Sequence, residues 1–248
     1  VNVCIYRLPR DLSVASPRRS FCPSCKEKIS WYDNLPLISF LILGGKCRKC
    51  QEPIPIRYPM VEALTAISFV LAVWQWGFSG EALRICIFSA LLIALFFTDL
   101  ETRILPDEMT LGGAFAGWML ALIFPLAFDI VIILLPESLP VNIQSLFSSI
   151  LGGVIPALGL WLIGELYLRI RKREGLGFGD VKMLLLLGAF LGLEKTVLTI
   201  IVGSVAGTVV GVTLLLWKGK EAARYELPFG SFLAAAGLLI AYLPVNNL

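Results

Sequence analysis

Ala90-Leu91-Leu92-Ile93-Ala94-Leu95-Phe96-Phe97-Thr98-Asp99 is the stretch on which the reading of this chain turns. It closes an apolar run over residues 83–98 and ends on a carboxylate. A charged group at such a depth is costly in a bilayer, so it marks a functional-site candidate. Gly177-Phe178-Gly179-Asp180 repeats the arrangement in reverse, with an aspartate heading an apolar run over 181–193. The chain contains no histidine. That excludes Ser-His-Asp and Cys-His nucleophiles, His-Glu-x-x-His metal sites and an imidazole general base. A pair of carboxylates remains.

Of the 248 residues, 57% are hydrophobic and 16% charged, where soluble domains carry roughly a quarter charged. Crossing a ~30 Å hydrocarbon core takes about 20 apolar residues, fewer when neighbours or snorkelling side chains compensate. Seven runs read as spans: 60–76, 83–98, 110–135, 146–168, 181–193, 196–217 and 229–243. The expected fold is an all-α polytopic membrane protein, a bundle of seven complete transmembrane helices with a small cytoplasmic zinc-binding loop domain. The chain opens on Val1 within the apolar Val1-Asn2-Val3-Cys4-Ile5-Tyr6, which reads as the remainder of a truncated eighth, N-terminal span.

Charge sorting sets the expected orientation. With residues 7–59 placed inside, the inside segments hold 19 of the 21 Lys and Arg, leaving Arg84 and Lys195 outside. This positive-inside bias puts Asp99 and Asp180 together on the cytoplasmic side. Membrane topology and anionic lipid explain the basic loops more simply than nucleic acid does, so no nucleic-acid partner is expected.

Cys22-Pro23-Ser24-Cys25 and Cys47-Arg48-Lys49-Cys50 are two C-x-x-C pairs, 21 residues apart, on a basic loop. In a reducing compartment such pairs favour metal over disulfides. Four thiolates suit tetrahedral zinc in a closed, structural site, which would fold a segment too small for its own core. The competing reading is redox-active or free thiols. Cys4 and Cys86 lie alone in apolar runs and read as packing. Residues 37–43 are too short to span and fit a strand or an interfacial helix.

Asp99 should lie within the bundle, whereas Glu101, Arg103, Asp107 and Glu108 read as surface charges or caps, with Asp107 as the N-cap of the next span. Gly175, Gly177 and Gly179 offer close backbone approach and positive φ beside Asp180. A nucleotide-binding glycine loop would need a preceding strand, and here a span and a basic run precede, so that reading is rejected. Two neighbouring carboxylates share one proton and titrate as a pair. The ionised partner could then activate water while the protonated one donates to a peptide carbonyl, as in aspartic proteases.

Among the remaining charges, Glu62 reads as dipole compensation or a partner for Arg57, with a catalytic role as the lesser reading. Glu165 reads as an i,i+4 partner of Arg169, and Asp129 as facing an interface or cavity. The tryptophans fit interfacial anchoring. Gly152, Gly153, Gly203, Gly207 and Gly211 signal close helix packing, of which homodimerisation is one use.

The chain resembles the type IV prepilin leader peptidases, which are bifunctional membrane aspartyl proteases of the GxGD type. The similar residues are Asn2-Val3, Tyr6-Arg7-Leu8-Pro9, both cysteine pairs, Trp31-Tyr32-Asp33-Asn34-Leu35-Pro36 and Gly45-Lys46-Cys47-Arg48. Further along they are Arg57-Tyr58-Pro59, Val61-Glu62, Asp99 with Leu105-Pro106-Asp107, Gly177-Phe178-Gly179-Asp180 and Pro228-Phe229-Gly230. The resemblance implies Asp99 and Asp180 as the catalytic pair and residues 60–248 as the transmembrane peptidase domain, with 1–59 carrying the truncated span and the cysteine loop. It implies a prepilin or type II secretion pseudopilin as substrate, with a short basic leader ending in Gly before a hydrophobic helix that usually starts with Phe. It further implies N-methylation of the new terminus with S-adenosylmethionine, in the bacterial cytoplasmic (inner) membrane. Two rivals stand beside it, a proton-coupled transporter using paired carboxylates and a zinc-bearing adaptor with a membrane anchor.

Overall fold

The computed structural model describes residues 1–17, 19–126, 129–173, 177–219 and 227–243. Among them the regular structure is helical: α1 (Asn2–Arg7), α2 (Ile38–Ile42), α3 (Arg57–Trp76), α4 (Gly80–Thr102), α5 (Asp107–Ile123), α6 (Ile130–Leu134), α7 (Val141–Arg171), α8 (Phe178–Lys218) and α9 (Phe229–Ala241). Four of these, α3, α4, α7 and α8, are long and apolar enough to cross a membrane, and α9 is a shorter apolar helix.

Local chemistry sets the boundaries. Ser79 caps α4 by accepting the Ala82 amide at 3.2 Å, with Glu81 in the first turn complementing the dipole. α4 ends where Arg103 turns left-handed (φ 55) and returns its amide to Asp99. Gly77, at φ 64, stops α3 in a conformation a side chain would resist.

The continuous run expected over 110–135 is divided. α5 ends at Ile123, before Pro125, and α6 begins only at Ile130. α8 is interrupted at Gly192 (φ 76, ψ −175). Beyond the break the chain folds back: Leu187 before it and Thr199 after it stand beside the same point at Gly237 of α9. This break separates the two runs read from the sequence as 181–193 and 196–217.

Asp129 holds the break. Buried at 1% exposure, it accepts the amides of Leu193 at 3.1 Å and Glu194 at 3.3 Å, together with the Ser148 hydroxyl. The first amides of the second limb of α8 have no partners within their own helix, and a carboxylate from 64 residues upstream supplies one. Asp129 thus faces neither a cavity nor an interface with lipid.

Small residues bring the helices together. A Cβ on Gly188 would lie 2.0 Å from the Gly153 amide nitrogen, and one on Gly152 would lie 2.6 Å from the Gly192 carbonyl carbon. α7 and α8 therefore meet backbone to backbone. Lipid is as apolar as leucine, so close contact of this kind binds helices where water exclusion cannot. Gly203 and Gly207 pack on Phe232 of α9 and Gly211 on Leu227, so all five glycines singled out from the sequence serve contacts within the chain. Around them sit Leu92, Leu95, Met183, Leu184, Leu187 and Leu233, with Phe88 stacked on Phe190 at 4.8 Å.

The bundle has two distinguishable ends. At one, Asp99, Leu105, Gly179 and Gly230 converge; at the other, Lys195 donates to the Leu243 carbonyl and Arg84 to that of Phe124. α2 lies outside the bundle and exposes Ile38, Leu41 and Ile42, the pattern of a helix resting in an interface. Trp74 and Trp217 are exposed in the manner of interfacial anchors, whereas Trp76 and Trp118 pack against the core.

Candidate active site and metal centre

Asp99 occupies the last turn of α4 with 5% of its surface exposed. Its Oδ2 accepts the Ser231 amide at 2.6 Å and lies 2.9 Å from the Ser231 hydroxyl, which is also 3.1 Å from the Phe96 carbonyl. Ser231 stands in the first turn of α9, where its amide is shared between the Pro228 carbonyl at 3.2 Å and Asp99, so a helix N-terminus and a hydroxyl hold one oxygen of this carboxylate.

Asp180 lies in the first turn of α8, half-buried, with its amide turned back to the Gly177 carbonyl at 3.1 Å. Its Oδ2 lies 3.3 Å from where a Cβ on Gly177 would stand, as Asp99 Oδ2 lies 3.1 Å from one on Gly230. Leu105 connects their surroundings. A Cβ on Gly179 would be 3.2 Å from Leu105 Cβ; one on Gly230 would be 2.9 Å from Leu105 Cδ1 and 3.1 Å from Asp99 Oδ2. Gly179 and Gly230 are therefore small because side chains crowd them. Gly177 has φ −73, and Gly179 is helical, so neither uses the positive φ expected of them. Gly175 lies outside the described residues.

Two ion pairs flank the segment between α4 and α5. Arg57 meets Glu101 at 2.5 Å, and Lys182 meets Asp107 at 2.5 Å. Asp107 is thus an ion-pair partner and not a cap; Pro106 holds the cap position of α5, with no side-chain bond. Glu62 is not bound to Arg57: it accepts the Leu37 amide at 2.8 Å, where Leu37 sits at φ 61, and the Asn2 amide at 3.5 Å. Arg169 donates to Glu165 at 2.8 Å, the i,i+4 pair expected.

The four cysteines come together. Cys22, Cys25, Cys47 and Cys50 present sulfurs that all lie within 4.8 Å of one another. Tetrahedral zinc with Zn–S bonds of about 2.3 Å sets its sulfurs roughly 3.8 Å apart, and the Cys22 and Cys50 sulfurs are 3.8 Å apart. The two pairs sit on matching turns. Cys22 exchanges backbone bonds with Lys26 and Glu27, Cys47 does so with Gln51 and Glu52, and Lys26 and Gln51 both take φ 60. The donor set and geometry fit zinc. Amides of Cys50 and Lys49 bring the Cys47 thiol down to about 7. At Cys50 the Glu52 amide favours the thiolate, but burial and the neighbouring thiols push the group up to about 12. Outside this cluster, Arg48 clamps Asp33 through two bonds of 2.8 and 2.6 Å, and its hydrogen bond holds the Asp33 carboxyl below its usual range.

S-adenosylmethionine finds no counterpart in the open cleft beside the first cysteine pair. Pro17, Arg19, Phe21, Lys26 and Lys28 line it, and its three cations would repel a sulfonium.

Several residues of the site went unread in the sequence. Ser231 follows the Pro228-Phe229-Gly230 motif, and a serine at a helix entrance was its only signal. Leu105 stood in the quoted Leu105-Pro106-Asp107 motif without a role, and Lys182 carried no signal, because their contacts come from partners more than 70 residues away.

Two carboxylates towards one end of an apolar bundle, in a chain without histidine, agree with the class to which the sequence matches assign the chain, the membrane-embedded aspartic peptidases. Within it, the chain belongs to the type IV leader peptidase family, whose sequence model matches residues 86–212, while residues 1–76 match the bacterial peptidase A24 N-terminal domain. It is similar to proteins named prepilin leader peptidase/N-methyltransferase. The one from Neisseria gonorrhoeae is 37% identical over 89% of this chain and 70% of that protein. The one from Xanthomonas campestris is 33% identical over 96% and 76%, and the one from Myxococcus xanthus 35% identical over 91% and 62%. The chain thus spans about three fifths to three quarters of the length of these relatives. No solved structure matches it significantly.

Proposed function

We propose that this chain removes the leader peptide of type IV prepilins or pseudopilins, with Asp99 and Asp180 activating the attacking water. The observation that carries this reading is the meeting of the α4 end, the α8 start and the α9 start around two carboxylates. Like charges at close range make one shared proton the stable state. One carboxylate then takes a proton from water while the other donates to the scissile carbonyl, and the roles reverse as the amine leaves. Ser231 orients Asp99 through its amide and hydroxyl. A transporter would need carboxylates continuing towards the bilayer midplane. Asp129, the other fully buried acid among the described residues, is instead spent on the break at Gly192.

The basic loops support a cytoplasmic position for the site in the inner membrane. Zinc held by Cys22, Cys25, Cys47 and Cys50 would order the loop and, with all four positions filled by thiolates, leave no place for substrate. N-methylation of the new terminus with S-adenosylmethionine is supported by the names of the relatives and the retained cysteine loop. The decisive experiment presents a prepilin to the purified, reconstituted chain and to its D99N and D180N variants. Cleavage by the first alone is expected; normal cleavage by both variants would end the assignment.

A further inference from the structure

We propose that the space between Gly179 and Gly230, filled here by Leu105, is the subsite for the substrate's apolar side chain next to the scissile bond, on its membrane-embedded side. Leu105 must leave it for substrate to enter. The inference rests on the reading of Asp99 and Asp180 as the peptidase pair.

Three observations carry it. First, Leu105 shares a wall with the reacting group: its Cδ1 and Asp99 Oδ2 flank the same point on Gly230, at 2.9 and 3.1 Å. A peptide bond presented to Asp99 has its flanking Cα atoms within about 3.8 Å of each other, so the neighbouring side chain falls where Leu105 now lies. Second, the cradle has glycine on both faces. The first Cβ added to either wall would press on Leu105, so with Leu105 gone the space admits a side chain at least as large. Third, the segment carrying Leu105 is built to be released. It runs from Arg103, at φ 55, to Pro106, and its ends are tied by Arg57–Glu101 and Lys182–Asp107. In each pair the acid faces solvent, Glu101 at 39% and Asp107 at 57% exposure, while Arg57 and Lys182 are mostly covered at 12% and 20%, so the segment is held at its two ends and not along its length. Leu105 therefore acts as a stand-in for substrate, covering the apolar cradle until a better-fitting side chain displaces it.

The test compares the full chain with L105A on two prepilins that differ only in the residue following the scissile bond, Phe or Ala. Removing the stand-in is expected to lower KM for the Phe substrate about five-fold relative to its effect on the Ala substrate. L105V, which shortens the side chain by one carbon and keeps the fold if L105A does not, is expected to shift the same Phe-against-Ala ratio about two-fold in the same direction. Equal changes on both substrates, or none, would overturn the subsite. A wild-type chain that cuts neither substrate, or D99N and D180N variants that cut both, would instead overturn the peptidase reading beneath it.

Discussion

Asp129 accepts the Leu193 amide at 3.1 Å, so a carboxylate from the α5–α6 connection caps a helix limb that begins 64 residues later. The contact makes possible the left-handed turn at Gly192, and a Cβ at that glycine would lie 2.8 Å from Asp129 Oδ2. D129A is therefore expected to destabilise the fold by about 3 kcal/mol, since orphaned buried amides cost about 1–3 kcal/mol each. D129N, which keeps one acceptor oxygen, should lose less. Thermal unfolding in detergent measures both, and an unchanged midpoint for D129A would refute the bracing role.

Asp99 and Asp180 bear a kinetic prediction. D99N and D180N should each reduce cleavage about a thousand-fold or more, because acid–base participation contributes roughly 10²–10⁴. Both variants should keep the wild-type unfolding temperature within a few degrees, since asparagine preserves the side-chain shape and one acceptor oxygen. Gel-shift assays of prepilin processing, run beside melting curves, separate lost chemistry from lost fold.

Ser231 offers a milder perturbation. S231A deletes the hydroxyl 2.9 Å from Asp99 and keeps the amide at 2.6 Å. The expected outcome is a fall in kcat of about ten-fold with KM nearly constant, the pattern of an interaction that orients a reacting group. A rise in KM alone would place Ser231 in substrate binding instead.

The cysteine cluster predicts one zinc per chain by elemental analysis, halved or worse in C22S or C47S. Protons compete with metal for thiolates, so occupancy should fall as the pH is lowered. Chelation is expected to open the loop to proteolysis and to depress methylation more than cleavage. Immediate, equal loss of cleavage in a well-folded variant would give the cysteines a direct part in hydrolysis.

Much of this was legible in residue order. Long apolar runs announce helices because a bilayer admits little else, and Asp99 and Asp180 stood out because charge at their ends is costly. Two C-x-x-C pairs announced their own meeting, since spacing alone places four sulfurs within reach of one ion. The run over 110–135 reads as one span interrupted by Pro125, and the structure turns that interruption into a division between α5 and α6, because hydropathy continues where the backbone cannot. Glu62 and Asp107 misled because each had a near neighbour in sequence that suited it, and a more distant partner took it.

Composition and order alone established a membrane-borne helical protein with two candidate acids and a four-sulfur knot, because hydrophobicity and the short-range reach of cysteine pairs are local properties. Which acid would meet the start of α9 and which would brace a helix break was decided only by folding. Asp99 and Asp129 are both acids set in apolar sequence, yet Asp99 receives the α9 amide of Ser231, while Asp129 is consumed by the amides beyond Gly192. A carboxylate's role follows from the donors that surround it, and those donors arrive from helices that no local pattern can bring together.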